Sequence, residues 1–198
     1  MAERSQSRAF LLPIKKVYRS RRNRASGAAV GFIELFFGMS TMQVGPQWTI
    51  RAAEHADWKA IADFNSRLAL ETEGKRLAPE TIEAGVRALL SEPRHGRYFV
   101  ACSGDRIVGQ MMHTREWSDW RNGEIWWLQS VYVSPDHRRH GIFRTLYRHL
   151  EQMAELDPGV VGIRLYVERE NAKAIEAYKS LGLVDAHYAV METIFRRG

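Results

Sequence analysis

Residues 128–153, "LQSVYVSPDHRRHGIFRTLYRHLEQM", constrain the fold more than any other stretch, because the spacing of apolar side chains changes there from that of a strand to that of a helix. Leu128, Val131 and Val133 stand among β-branched and aromatic neighbours. Ser134, Pro135 and Asp136 interrupt them, and Ile142, Leu146, Leu150 and Met153 then recur at helical spacing. A strand must therefore feed a helix through a short basic loop. The helix begins near Gly141, where its first backbone N–H groups lack internal partners and the macrodipole gathers partial positive charge. Arg138, Arg139 and His140 add charge, and Gly141 lets the backbone approach an oxygen-rich group without an intervening Cβ. Taken alone, the loop suits a phosphate as well as it suits a solvated surface turn. The patterns GxxxxGK[ST] and GxGxxG are both absent, so neither a P-loop nor a dinucleotide fold is expected.

The chain has 198 residues, 45% hydrophobic and 11% aromatic, which is enough for a sizeable core. The expected organisation is a basic extension over residues 1–46 and one folded domain over 47–198. Within the domain, "WTIRAA" (48–53) reads as a strand and Asp57 as the cap of a helix carrying Trp58, Ile61, Phe64 and Leu68. A second helix is expected from Pro79 to Leu90. "YFVACS" turns through Gly104 and Asp105 into "RIVGQMMHTREW", the two-residue signal of a hairpin. A strand from Glu124 to Val133, the helix after Gly141, a strand "GIRLYV" (162–167), a helix from Asn171 and a last strand near "HYAVMETIF" complete the order. Such an order predicts an α/β (α+β) mixed, mostly antiparallel sheet with helices on both faces.

The formal net charge of +6 suggests nucleic-acid binding until it is located. Residues 1–46 contain Arg4, Arg8, Lys15, Lys16, Arg19, Arg21, Arg22 and Arg24 against Glu3 and Glu34 alone, so the whole excess lies in the extension and the domain is neutral. Nucleic acid is therefore not an expected partner of the fold. The apolar run before Met39 is about half the roughly 20 residues of a spanning helix and carries Glu34, so no membrane association is expected. Translation from Met39 or Met42 is the simplest account of the extension. Cys102 is the single cysteine, in a strand-like run, which fits a buried side chain and a reducing cytoplasm. His137 and His140 have ligand-like spacing but no acidic or thiol companions, so no metal site is expected.

A second stretch is "RLYVERENAKAIEAYKSLGL" (164–183). Asn171 stands at a helix N-cap position and Gly182 at a C-terminal one. Tyr178 follows Asn171 by seven residues, which puts both on one face about 10 Å apart. Together "VYVSPDHRRHGIF" and "NAKAIEAYKSLGL" resemble, in order and separation, the two motifs of the GCN5-related N-acetyltransferase (GNAT) superfamily, over about residues 48–195. One position departs: Phe143 stands where the family's loop has Gly or Ala, so its ring must point away from a bound phosphate or reshape the cleft.

The resemblance implies acetyl-coenzyme A as co-substrate. It implies that Val131, Tyr132 and Val133 run beside the pantetheine arm, with Val131 and Val133 pairing by main chain. Arg138, Arg139, His140, Gly141, Ile142, Phe143 and Arg144 would hold the pyrophosphate and Asn171 the arm near the thiol. Tyr178 would protonate the departing thiolate. The acceptor would be a small-molecule or peptide amine, and a homodimer is left open. An amine must lose a proton before attack. The strand position at which the family often carries a catalytic Glu is Trp127 here, and alternation points Glu124 to the opposite face from it. Glu71, Glu73 and Glu116 are the remaining candidate bases. Glu71, Glu73, Trp117, Asp119, Trp120, Trp127 and Gln129 are candidates for the acceptor cleft, where aromatic faces beside carboxylates suit a cationic amine. Two functions of different class follow: an N-acetyltransferase, or a non-catalytic acyl-coenzyme A-binding or sensing module.

Overall fold

The computed structural model of the chain describes residues 48–195. The elements are strand β1 (Thr49–Ala52), helices α1 (Trp58–Glu73) and α2 (Pro79–Ser91), and strands β2 (Gly96–Ser103), β3 (Arg106–Ser118) and β4 (Gly123–Val133). Helix α3 (Ile142–Leu156), strand β5 (Val160–Arg164) and helix α4 (Ala172–Ser180) follow. The strands lie in the order β1-β2-β3-β4-β5; the first four are antiparallel, and β5 joins β4 in parallel. The mixed, mostly antiparallel sheet expected from the sequence is thus formed.

Alternation along the strands divides the core between two faces. On one, Ile61 and Ala62 of α1 and Val86 of α2 close over Tyr98, Val100, Cys102 and Met112. On the other, Ile142, Leu146, Tyr147, Leu150 and Ala154 of α3 close over Phe99, Ala101, Val108, Met111, Trp126 and Leu128. Tyr178 and Leu181, at the end of α4, pack on this second cluster. Turn chemistry matches the chain locally. Gly104 takes φ +57 in the β2–β3 hairpin, and α4 closes through Gly182 at φ +95, with Leu183 N–H donating to the Tyr178 carbonyl at 3.2 Å.

Three expectations are corrected. The strand placed at 162–167 runs from Val160 to Arg164, because its ladder with β4 ends at the pair Trp127–Arg164 and Leu165–Val167 leave the sheet. The last strand near "HYAVMETIF" is not formed. Residues 184–195 are exposed and have no neighbouring strand among the described residues, so their alternating pattern has no ladder to join. Asp57 stands at the N-cap of α1 without capping it, since its carboxylate is taken by Arg51 at 2.7 Å and by the Glu54 N–H at 2.7 Å. Trp117 and Trp120 lie at the β3–β4 hairpin, 64% and 74% exposed. The basic extension lies outside the described residues.

Candidate active site

Beyond Trp127 the two parallel strands part, so Leu128–Val133 of β4 pair with β3 alone and present an open edge. That edge leads directly into the basic loop. Gly141 precedes α3 at φ +83 and Arg139 is also left-handed at φ +66. No side chain caps α3, and its first intrahelical bond is Thr145 N–H to the Gly141 carbonyl at 3.0 Å. The N–H groups of Ile142, Phe143 and Arg144 therefore lie in the turn that has no internal acceptors. A Cβ built on Gly141 would meet nothing within 4 Å, so the space over the helix end is open. Ile142 is buried, whereas Arg139, His140 and Arg144 are exposed, and the His140 ring lies 6.5 Å from that of Trp48. Phe143 turns toward α4: its ring meets Tyr178 edge-on at 5.6 Å and Tyr147 at 6.4 Å.

Arg138 differs from its neighbours. Its guanidinium donates to the Val133 carbonyl at 2.9 Å and to Glu71 Oε2 at 2.6 Å, and Glu71 Oε1 accepts from the Tyr132 hydroxyl at 2.6 Å. The end of α1 is thereby latched to the end of β4 and to the loop. The Tyr132 hydroxyl, and then Arg138, hold the Glu71 carboxyl below the usual carboxylate range. Glu73 pairs with Lys75 at 2.6 Å, away from the strands.

Helix α4 contributes two of the expected side chains. Asn171 caps it, accepting the Ala174 N–H at 3.1 Å, which leaves the side-chain NH2 for another partner. The Tyr178 ring is largely enclosed and its hydroxyl has no partner among the described residues, so burial pushes the phenol above its ordinary pKa and keeps it protonated at neutral pH. Tyr178, Val131 and Val133 pack against the same apolar cluster.

On the α1 face of the sheet, Glu116, Trp127, Arg164 and Gln129 come together at the point where β4 and β5 part. The Trp127 indole donates to Glu116, Arg164 pairs with Glu116 at 3.1 Å, and Gln129 donates to the Thr114 hydroxyl at 3.0 Å. Tyr166 tilts against Trp127 at 5.9 Å. Thus, although Trp127 cannot itself accept a proton, its indole holds a carboxylate in place. Glu124 faces the other way, bonded to Arg115 at 3.0 Å. Trp117 alternates with Glu116 and points away from this group, and the carboxylate of Asp119, exposed beside Trp120, accepts the Trp120 N–H at 2.9 Å.

Sequence reasoning missed Arg164, Tyr166, Asn65, Gln110 and the bulge at Ser130. Asn65 and Gln110 carried a signal, being polar in otherwise apolar faces. Both are fully enclosed: Gln110 donates to Asn65 at 2.7 Å and to the Ser130 carbonyl at 3.3 Å, and Asn65 donates to the Tyr98 hydroxyl at 2.9 Å. Among the described residues no group of three His, Cys, Asp or Glu could hold a metal.

The fold is shared with known proteins. A possible acetyltransferase from Clostridium difficile 630 superposes with a TM-score of 0.72 at 44% identity, covering 76% of this chain and 99% of its own. A ribosomal-protein-alanine N-acetyltransferase from Brucella melitensis biovar Abortus 2308 shares the fold at a TM-score of 0.60 and 18% identity, over 76% of this chain and 99% of that one. The thialysine N-epsilon-acetyltransferase of Bos taurus is 33% identical over 82 residues, 41% of this chain and 47% of its own length. The chain thus spans about half the length of the curated relatives it matches. Residues 58–183 match the model of the acetyltransferase (GNAT) family, well over half of the sequence, and the chain belongs to that family.

Proposed function

We propose that the protein transfers an acetyl group from acetyl-coenzyme A to a primary amine by direct attack. The observation that carries the reading is the open edge of Leu128–Val133 running into an uncapped helix end at Gly141, with unobstructed space above it. An extended arm can pair along the edge while its diphosphate meets the N–H groups of residues 142–144 and the charges of Arg139, His140 and Arg144. Asn171 offers its side-chain NH2 to the arm.

The reaction balances without an external reagent. The neutral amine attacks the thioester carbonyl, the C–S bond breaks as the amide bond completes, and the thiolate takes a proton from Tyr178, kept protonated by burial. The proton lost by the amine passes to the Glu116 carboxylate, directly or through water. Of the three candidate bases it alone lies beside Trp127 and Gln129. Glu71 is a positioning residue in this scheme, because it holds Arg138 and Tyr132. The curated relatives are named for acting on thialysine, itself an amine. For this chain the acceptor class is a small cationic amine, an amino acid or a peptide amine, drawn to Glu116 and the faces of Trp127 and Tyr166.

Free-thiol release from acetyl-coenzyme A with a panel of amines tests the activity, and melting with about 1 mM acetyl-coenzyme A tests the donor. A raised melting temperature with turnover on at least one amine is expected. A shift without turnover on any amine would instead favour an acyl-coenzyme A-binding module, and no shift would remove the donor assignment.

A further inference from the structure

Strand β4 is not a regular strand, and the irregularity sits where the coenzyme arm is assigned. Ser130 has φ +47, a left-handed conformation rare for a residue with a Cβ, and the ladder with β3 slips between Gln110 and Met112 so that Ser130 and Val131 together oppose Met111. The extra residue reverses the alternation. Leu128 faces the α3 cluster and Gln129 bonds Thr114 on the α1 face. After the bulge, Val131 and Val133 face the α3 cluster, and Tyr132 meets Phe64 of α1 at 5.0 Å.

Something must hold this conformation, and the only side chain bonded to the Ser130 carbonyl among the described residues is Gln110. A carbonyl can only accept, so the Gln110 NH2 must face it. That same NH2 also reaches Asn65 Oδ1, which turns the Asn65 NH2 toward Tyr98, whose hydroxyl must accept. One backbone carbonyl therefore dictates the orientation of a chain that crosses β4, β3, α1 and β2. Stability is not its evident purpose: Gln110 Oε1 is buried without a partner among the described residues, and apolar side chains fill the equivalent positions on both sides of it.

We propose that Tyr98, Asn65 and Gln110 are a positioning relay that fixes the bulge of β4 for acyl transfer. The proposal rests on the assignment of the open β4 edge to the coenzyme. Through the bulge the relay sets two things at once. It turns Val131 and Val133 of the open edge toward the α3 cluster, and it turns Tyr132 toward Glu71, whose other oxygen holds Arg138 of the diphosphate loop. An unbulged β4 would direct Tyr132 into the α3 core and release the latch.

The test is the variant Y98F/N65L/Q110M, which replaces every polar member of the relay by an apolar side chain of similar size, beside Q110M alone. We expect a melting temperature within a few degrees of the parent, kcat lowered at least tenfold, an acetyl-coenzyme A Kd raised several-fold, and amide resonances of Ser130–Tyr132 displaced in Q110M. A variant that melts well below the parent yet keeps parental kcat and Kd would overturn the relay and leave these residues as core. Unmoved Ser130 and Val131 resonances in Q110M would do the same, whatever becomes of the triple variant. If the parent itself shows no melting shift with acetyl-coenzyme A, the donor assignment fails first and the relay loses its function with it; parental binding together with unimpaired variants overturns the relay alone.

Discussion

Replacement of Tyr178 by Phe separates chemistry from packing more cleanly than any other single change in this protein. The ring stays, and with it the edge-on contact to Phe143 at 5.6 Å. The hydroxyl donates to nothing among the described residues, so its loss strands no buried partner and stability should change by no more than about 0.5 kcal/mol. The coenzyme Kd should likewise hold. If the hydroxyl protonates the leaving thiolate, kcat should fall by the roughly 10²- to 10⁴-fold of a lost general acid, which at about 1.36 kcal/mol per decade is about 3–5 kcal/mol of barrier. Burial raises this phenol above its ordinary pKa, so the parent should keep its acid protonated throughout the neutral range, and the loss of this acid should appear only as an alkaline limb of turnover. The variant should lack that alkaline limb. Single-turnover thiol release at saturating acetyl-coenzyme A, followed across pH, measures both effects. Parental single-turnover rates in Tyr178→Phe would refute the assignment and make the hydroxyl structural.

Gly141→Val should leave the α3 core intact, since a Cβ there meets nothing within 4 Å. The left-handed φ of +83 should still cost about 1–2 kcal/mol in urea unfolding, and the filled space should weaken acetyl-coenzyme A at least tenfold by calorimetry. Gly96→Ala should be far more damaging to folding. Its Cβ would lie 2.0 Å from the His113 carbonyl oxygen, backbone that cannot yield without breaking the β2–β3 pairing, and a loss of at least about 2 kcal/mol is expected in the same assay. His113, stacked on Trp126 at 4.1 Å and only 2% exposed, has its imidazole pushed down to about 4 by burial. The unfolded chain therefore binds this proton first as pH falls, so the stability it contributes is whole above about pH 6.5 and is lost toward pH 4, at most about 3 kcal/mol. His113→Leu should flatten urea-unfolding stability between pH 7 and pH 5, and an unchanged slope would assign the titration elsewhere.

What was legible in the sequence was set by neighbours in the chain. The span of α2, the start of α3 after Gly141, the Gly104–Asp105 hairpin and the Asn171 and Gly182 caps follow from local spacing and φ preferences, and all are found as expected. The bulge at Ser130 could not be seen that way. Nothing in "LQSVYV" calls for a left-handed serine, and the carbonyl it exposes is satisfied by Gln110, twenty residues earlier on another strand. Strict alternation therefore assigns correct faces up to Gln129 and wrong ones from Val131 onward. The final strand failed for the complementary reason: a period of two shows what a segment could pair with, not that a partner lies beside it.

The basic loop shows the same limit in its charges. Three adjacent cations read as three phosphate ligands, yet Arg138 is bonded to a glutamate 67 positions away, a pairing that no local pattern encodes. That bond does not remove Arg138 from the site. Its Nε and one terminal nitrogen are engaged, which leaves donors of a five-donor fork directed outward, and the pair is exposed enough to be worth at most about 1 kcal/mol. On the proposed reading, a diphosphate, which carries more negative charge than one carboxylate, would arrive already held by the helix end and could share Arg138 at little cost. Glu71 would then order the guanidinium in advance and act as the anchor of the loop rather than as a base. Glu71→Gln tests that division of labour. An amide can still accept from one donor but carries no charge, so the coenzyme Kd should rise several-fold in a salt-dependent way while kcat at saturating coenzyme stays within about twofold of the parent. A collapse of kcat with an unaltered Kd would instead return Glu71 to the role of base.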